Sequence, residues 1–246
     1  MIDHIKMHTK VEKITYFGHS QGNIQIFAAM SIIPEYFQAN LNGIISLGPV
    51  SNLANIGSTF FSLLANSKLD YILSYLGINE FLPNLNAVNE IKSLLCNKLH
   101  IICDGVLELI MDANAADDDP DKIDVFHGHF PSGTSLRDVM HFSQLVRSKK
   151  FAQFDYGTVQ NMVNYGQNEA PEYDLSKIMN KVCLFIGKND RLATIADNRI
   201  LRDKLISIEK LVFYKEYDNM GHLTFFVPKD FSYNEDIKNC LMEFEK

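Results

Sequence analysis

Four short apolar runs, rich in β-branched and aromatic residues, predict β-strands. They are ITYF at residues 14–17, LNGIISLGPV at 41–50, KVCLFIGKND at 181–190 and KLVFYKEYDNMGH at 210–222. Apolar residues at helical spacing follow the first run at residues 24–30, and the helix-like segment TIADNRILRDKLIS separates the last two runs. A strand, a helix and a second strand in succession are typical of a βαβ unit, so the pattern predicts an α/β fold with a mainly parallel sheet.

The pattern changes in the middle of the chain. From Ser51 to about Lys150 the apolar residues recur at helical spacing, as in FFSLLANSKLDYILSYLGI and AVNEIKSLLCNKLHIICDGVLELIM. The acidic stretch DANAADDDPDKID and the segment FHGHFPSGTS interrupt this spacing. We therefore expect a helical insertion between the second and third strands of the sheet.

The segment Gly18-His19-Ser20-Gln21-Gly22 joins the first predicted strand to the first predicted helix. A strand that turns sharply into a helix needs small residues, because backbones approach closely there or φ becomes positive. Such pentapeptides also occur by chance, but the flanking strand and helix favour a strained turn that presents Ser20 as a nucleophile. At this helix N-terminus the N–H of Gln21 would stabilise an oxyanion beside Ser20.

A serine nucleophile needs a base and a carboxylate that orients the base. In an open parallel sheet such groups lie just past the carboxyl ends of strands, where Asp190 and His222 are found. The chain order Ser20, Asp190, His222 is that of α/β-hydrolase triads. We predict that His222 takes the proton of Ser20 and that Asp190 fixes the tautomer of His222.

Three other residues compete for these roles. Asp197 and Asp218 lie near the same predicted edge, but Asp197 falls in a predicted helix and Asp218 precedes the histidine loop. His19 is next to Ser20, and consecutive residues of such a turn point in different directions. We expect His19 to be a packing or hydrogen-bonding residue.

Composition and charge exclude several function classes. A net charge of −7 argues against a nucleic-acid partner. The four cysteines have no C-x-x-C spacing, and Cys183 and Cys240 are expected in the core. The acidic stretch lacks the spacing of a calcium loop and is interpreted as a solvated loop. His127 and His129 are interpreted as structural residues, so no metal or other cofactor is predicted.

No apolar run has the length of a transmembrane segment, and the N-terminus does not have the pattern of a signal peptide.

Longer motifs resemble the acid lipase family, which includes gastric and lysosomal acid lipases. They are YFGHSQGN, GIISLGPVSNL, FHGHFPSGTSLRDVMHFSQLVRSKKFAQFDYG, PEYDLSKI and IGKNDRLATIADNRIL…NMGHLTFF, in collinear order over nearly the whole chain. The resemblance implies an α/β-hydrolase fold, with a core of residues 1–50 and 166–246 and a helical cap of residues 51–165 over an acyl pocket. It also implies that Ser20, Asp190 and His222 are nucleophile, acid and base, and that Gln21 is an oxyanion-hole donor.

The function implied by this resemblance is hydrolysis of lipid esters, either triacylglycerols or sterol esters, without a metal. The expected partner is a lipid ester, with association to a lipid surface, and the expected localisation is lysosomal or secreted. Cys96 and Cys103 resemble a cysteine pair that is bridged in some family members, at slightly shorter spacing.

One departure from the family concerns the oxyanion hole. The family has an N-terminal part with the first strands of the sheet and an H-G motif whose following loop donates a second N–H, and this sequence begins after that part. We therefore expect the N-terminal strands to be missing and the chain as given to be a weak enzyme, since losing one donor typically costs on the order of 100- to 1,000-fold in rate. The alternative is a truncated, catalytically impaired lipase-like module that acts by binding lipid or protein.

Overall fold

The computed structural model describes residues 1–81, 110–112, 116–129 and 132–246. The first part of the chain contains α1 (Ile2–Thr9), β1 (Ile14–Ser20), α2 (Gln21–Ile32), α3 (Pro34–Asn40) and β2 (Leu41–Pro49). The middle part contains α4 (Thr59–Ser67), α5 (Leu69–Tyr75), β3 (Glu80–Phe81), α6 (Pro120–His129), β4 (Thr134–Ser135), α7 (Leu136–Ser148) and α8 (Thr158–Tyr165). The last part contains β5 (Lys181–Gly187), α9 (Ile195–Ser207), β6 (Leu211–Tyr217) and α10 (Asn234–Phe244).

The main sheet has four strands among the described residues, in the order β1-β2-β5-β6. All three pairings are parallel, and the register places Ile45 of β2 beside Phe17 of β1 on one side and Cys183 of β5 on the other. The short strands β3 and β4 form a separate antiparallel pair. The predicted α/β fold with a mainly parallel sheet is confirmed, and parallel order brings the carboxyl ends of β1, β2, β5 and β6 to one edge.

Helices cover both faces of this sheet. Alternate residues of β5 pack in two different clusters: Leu184 and Ile186 lie with Phe27 of α2, whereas Cys183 and Phe185 lie with residues of α10. Burial on both faces explains why β5 is a continuous apolar run.

The core beneath α10 contains a disulfide. Cys183 of β5 and Cys240 of α10 are fully buried, as expected, and they are joined as a disulfide with their Cα atoms 6.4 Å apart. Cys96 and Cys103, which resemble a pair that is bridged in some family members, lie outside the described residues.

Two details differ from the sequence-based expectation. An apolar strand such as β1 is expected to be buried, but its Phe17 is 50% exposed, because β1 is an edge strand of the described sheet. The strands predicted over residues 181–190 and 210–222 are shorter in the structure, since β5 ends at Gly187 and β6 ends at Tyr217. Beyond Gly187 the backbone turns, and the N–H of Asp190 donates to the Gly187 carbonyl at 3.2 Å. Asp190 and His222 therefore lie on loops beyond the strand ends.

The middle helices pack together and against the edge of the sheet. Leu64 of α4 clusters with Leu136 and Val139 of α7, and Arg147 of α7 pairs with the buried Asp70 of α5 at 3.4 Å. A second cluster, with members from the loop after β2, from α7 and from the loop before α9, consists of Val50, Leu53, Leu145 and Ala193. In the described ranges, no helix is both long and apolar enough to span a membrane.

Candidate active site

Ser20 occupies a strained turn at the junction of β1 and α2. It is the last residue of β1, and its φ of 53° and ψ of −121° place it in a region that residues other than glycine rarely adopt. Such strain costs on the order of 1–3 kcal/mol and persists only where the surroundings enforce it. Two contacts hold the elements on either side of this turn close together. The side chain of Asn23 on α2 donates to the Leu47 carbonyl of β2 at 3.1 Å, and a Cβ at Gly18 would lie 2.5 Å from Asn23 Oδ1.

The structure brings Ser20, His222 and Asp190 into one chain of hydrogen bonds. Ser20 Oγ lies 2.7 Å from His222 Nε2, and His222 Nδ1 lies 2.7 Å from Asp190 Oδ2. The other oxygen of Asp190 accepts from the backbone N–H groups of Leu192 and Ala193, each at 2.7 Å. With Asp190 held in this way, a proton on Nδ1 faces the carboxylate and leaves Nε2 free to accept from Ser20.

The electrostatic surroundings favour a protonated His222. Burial lowers the pKa of His222, but the charge and hydrogen bond of Asp190 and the charge of Asp112 outweigh burial, so the pKa is raised above its usual value of 6.5. A raised pKa strengthens the imidazole as a base toward the Ser20 hydroxyl. As the pH falls, His222 therefore becomes protonated, and stops acting as a base, at a higher pH than a free histidine does.

Gly48 at the end of β2 leaves room for this hydrogen-bond chain. Its φ is +47°, and a Cβ there would lie 3.3 Å from both Asp190 Oδ2 and His222 Nδ1. A side chain at this position would crowd the contact between the two residues.

The competing carboxylates have other partners. Asp197 accepts from the backbone and side chain of Asn55 at 3.1 and 2.7 Å, and Asp218 pairs with Lys188 at 2.5 Å. Neither of these contacts involves His222.

Gln21 lies between Ser20 and the middle helices. It is the first residue of α2, where backbone N–H groups have no partner within the helix. Its side chain donates to Asp138 of α7 at 2.7 Å, and Thr134 donates to the same carboxylate oxygen at 2.9 Å. The start of α2 is thus tied to α7 and β4.

A cavity of about 450 Å³ opens beside Ser20. Its lining is mostly apolar and comes from the core and from the middle helices, with Ile24, Phe61, Phe81, Phe142, Leu192 and Phe226 among the lining residues. His19, Ser20, Gln21 and His222 contribute polar atoms to the lining. Such a cavity suits a long apolar group placed next to the serine.

Sequence reasoning missed one residue of this site. Asp112 belongs to the acidic stretch interpreted as a solvated loop, yet it is only 4% exposed, so this interpretation is wrong for Asp112. Its carboxylate accepts from the backbone N–H groups of His222 and Leu223. Nothing in the local pattern distinguishes Asp112 from its acidic neighbours, because its partners lie more than 100 residues away in the chain.

Comparison with known proteins gives relatives for most of the chain. No model of a known protein family matches this chain. The chain is 33% identical over 232 residues to a gastric triacylglycerol lipase of Rattus norvegicus, with 91% of this chain and 56% of the relative covered. It is 31% identical over 228 residues to a lysosomal acid lipase/cholesteryl ester hydrolase of Homo sapiens, with the same coverage of 91% and 56%.

A solved structure shares the fold at low sequence identity. The crystal structure of a monoacylglycerol lipase from Paleococcus ferrophilus matches with a TM-score of 0.51 at 15% identity, covering 99% of this chain and 71% of that one. The chain spans about 56% of the length of the curated relatives above. The chain is therefore a homologue of the acid lipases, with an α/β-hydrolase fold.

Proposed function

We propose that this chain carries the nucleophile, base and acid of a serine hydrolase that cleaves carboxylic esters of lipids. The observation that carries the proposal is the hydrogen-bond chain from Ser20 through His222 to Asp190, with contacts of 2.7 Å, beside an apolar cavity that Ser20 and His222 line. The named activities of the gastric and lysosomal relatives support the same class of reaction.

The reaction follows from this geometry in two halves. His222 Nε2 takes the proton of Ser20 as Oγ attacks the ester carbonyl carbon, and the N–H of Gln21 donates to the resulting oxyanion. His222 then gives this proton to the departing alcohol as the carbon–oxygen bond breaks, which leaves an acyl group on Ser20. Water attacks the acyl group with His222 again as base, and the fatty acid leaves as Ser20 regains its proton.

The substrate class rests on the cavity and on the relatives. We propose that the acyl chain occupies the apolar cavity, where each buried methylene contributes about 0.8 kcal/mol. The names of the relatives include both triacylglycerol lipase and cholesteryl ester hydrolase, so triacylglycerols and sterol esters are the two proposed substrates. We further propose that residues 51–165 form a cap over this cavity, because Phe61, Phe81 and Phe142 line it.

Two observations support a secreted or lysosomal localisation. The Cys183–Cys240 disulfide is typical of oxidising compartments. Burial raises the pKa of Asp112 to about 7 and that of Asp118 to about 6, from the usual 3.8. Carboxyl groups with raised pKa values in the folded state stabilise it most at low pH, and this contribution is lost as the pH rises through the folded-state values. Both groups therefore favour the folded state at acidic pH.

A lipid surface is the proposed site of action. The segment from α4 to β3, whose Phe61 and Phe81 line the cavity, also exposes large apolar side chains. They include Leu63, Ile72, Tyr75 and Leu76, which are 66%, 54%, 93% and 66% exposed. We propose that this segment rests on the lipid surface and brings the cavity close to the substrate.

Charged substitutions on this segment are expected to weaken binding to lipid. Tyr75→Glu and Leu76→Glu should each reduce partitioning onto phosphatidylcholine vesicles containing triolein by about tenfold or more, because each apolar side chain contributes about 1.5–3 kcal/mol when buried. Hydrolysis of soluble p-nitrophenyl butyrate should be unchanged. Val163→Glu on α8, at a residue 73% exposed, is the matched control. An equal loss of vesicle binding in the control would contradict the proposed surface.

The proposed function is tested by covalent labelling. A fluorophosphonate reacts with a serine only when a base activates it, so the folded chain is expected to form a single adduct on Ser20, identified by peptide mass mapping. An adduct on another residue would overturn the assignment of the nucleophile. A folded chain that binds the same vesicles without any adduct would support the alternative function, a lipase-like binding module.

A further inference from the structure

The loop that carries His222 is held by its backbone from two sides. The N–H of His222 donates to Asp112 Oδ1, and the N–H of Leu223 donates to Asp112 Oδ2 at 3.2 Å. On the other side, the carbonyl of His222 accepts a hydrogen bond from His19 Nε2 at 2.8 Å. We propose that Asp112 is a positioning residue for the base His222, with His19 as its counterpart; this rests on the proposed function.

The loop after β6 needs such support. His222 lies beyond the end of β6, so no strand pairing fixes its backbone. Within the loop, the N–H of Gly221 donates to Thr224 Oγ1 at 2.8 Å, but this contact leaves the N–H and carbonyl of His222 to outside partners. Asp112 and His19 supply one partner each. Together they fix the peptide groups on both sides of the Cα of His222 and hence the direction of the imidazole.

The short segment with Asp112 contacts the acid loop as well as the base loop. The N–H of Arg191 donates to the Met111 carbonyl at 2.9 Å. The backbones of Asp112 and Asp190 also form an isolated antiparallel β-bridge. One segment therefore sets the position of Asp190 relative to His222. A shift of about 1 Å between such groups can cost on the order of 100-fold in rate.

Burying the carboxylate of Asp112 costs desolvation free energy, which its contacts with the His222 loop offset. It is 4% exposed, and burial together with the charges of Asp190 and Asp118 raises its pKa. The charge of His222 and the hydrogen bond from its backbone N–H lower the pKa of Asp112. A buried carboxyl with these neighbours is retained by contacts with the loop that carries the base, rather than by packing alone.

His19 serves from the other side as a neutral ring. Burial first, and then the charge of His222, lower the pKa of His19 to about 3, so it stays uncharged beside the base. Its ring lies between His222 and Phe226, with centroid distances of 4.6 and 4.3 Å. A neutral ring donates to the His222 carbonyl only with its proton on Nε2, so this contact also fixes the tautomer of His19.

The charge of Asp112 should affect how kcat/KM depends on pH. In the described part of the chain, the titratable side chains that face the His222 ring are Asp190, Asp112 and His19. Asp112 raises the pKa of His222, so Asp112→Asn should lower it. The acidic limb of the kcat/KM profile should then move to lower pH, which a merely structural residue would not cause.

The test compares Asp112→Asn and Asp112→Ala with the control Asp121→Asn, from the exposed first turn of α6. With p-nitrophenyl butyrate, both Asp112 variants are expected to lose about 10- to 100-fold in kcat with KM within about twofold. The control should match the unmodified chain. An unchanged kcat and an unmoved acidic limb in Asp112→Asn, with the fold intact by circular dichroism, would overturn the proposal.

A second measurement separates this proposal from the proposed function. The proton between His222 Nδ1 and Asp190 Oδ2, which lie 2.7 Å apart, is expected to give a far-downfield NMR signal without any substrate. This signal would report the position of the base even in a chain that does not hydrolyse esters. We expect loss or broadening of this signal in Asp112→Asn and an unchanged signal in Asp121→Asn. An unshifted, sharp signal in Asp112→Asn would refute the positioning role. A missing adduct on Ser20 with an intact signal in the unmodified chain would refute the function alone.

Discussion

Replacement of Ser20 by alanine is expected to lower kcat for p-nitrophenyl butyrate by about 10⁴-fold or more. The alanine removes the only atom that can form the acyl intermediate in the proposed mechanism, and water would have to attack without the strained turn holding it in place. The side chain of Ser20 is half-buried, and its hydroxyl lies 2.7 Å from His222 Nε2. The measurement is steady-state kinetics, with active-site titration to exclude traces of contaminating esterase.

The control for this prediction is Ser207→Ala. Ser207 is exposed at the end of α9, and its hydroxyl donates to the carbonyl of Lys204 within the same helix. Its replacement should leave both the rate and the labelling of Ser20 unchanged. Residual activity of Ser20→Ala above about one per cent of the unmodified rate would show that another group is the nucleophile.

The strained turn could be predicted because its causes are local. Two glycines, an apolar strand and an apolar helix lie within 17 residues, from Ile14 to Met30, and only a tight turn joins such elements. The parallel order of the strands determines where the other site residues lie, since it places the carboxyl ends of β1, β5 and β6 at one edge. For this reason Asp190 and His222 could be proposed from their position after apolar runs.

Other parts of the structure depend on contacts between residues far apart in the chain, and these could not be predicted from the local sequence. Phe17 belongs to an apolar strand, but whether a strand is central or at an edge depends on pairing, which local pattern does not encode. The role of Asp112 depends on a backbone contact 110 residues away. A buried carboxylate with backbone partners has the same sequence signal as a solvated one, so the acidic stretch gave no means to single it out.

Asp190→Asn is the second substitution with a large expected effect. The amide keeps its oxygen toward the N–H groups of Leu192 and Ala193, which Asp190 Oδ1 contacts at 2.7 Å, and so turns its NH₂ toward His222 Nδ1. Nδ1 must then accept, and the neutral ring carries its proton on Nε2, where it can no longer accept the proton of Ser20. We expect kcat to fall by about 10⁴-fold with little change in KM.

Asp218→Asn and Asp197→Asn distinguish this effect from a general loss of a carboxylate near the sheet edge. Asp218 pairs with Lys188 on the surface, and its replacement should leave kcat unchanged. Asp197 binds Asn55, so its replacement should lower the thermal midpoint while sparing the turnover of the folded fraction. If Asp190→Asn retained more than about a tenth of the normal kcat, Asp190 would not orient the base. The contact of 2.7 Å with His222 would then serve the packing of the loop rather than proton transfer.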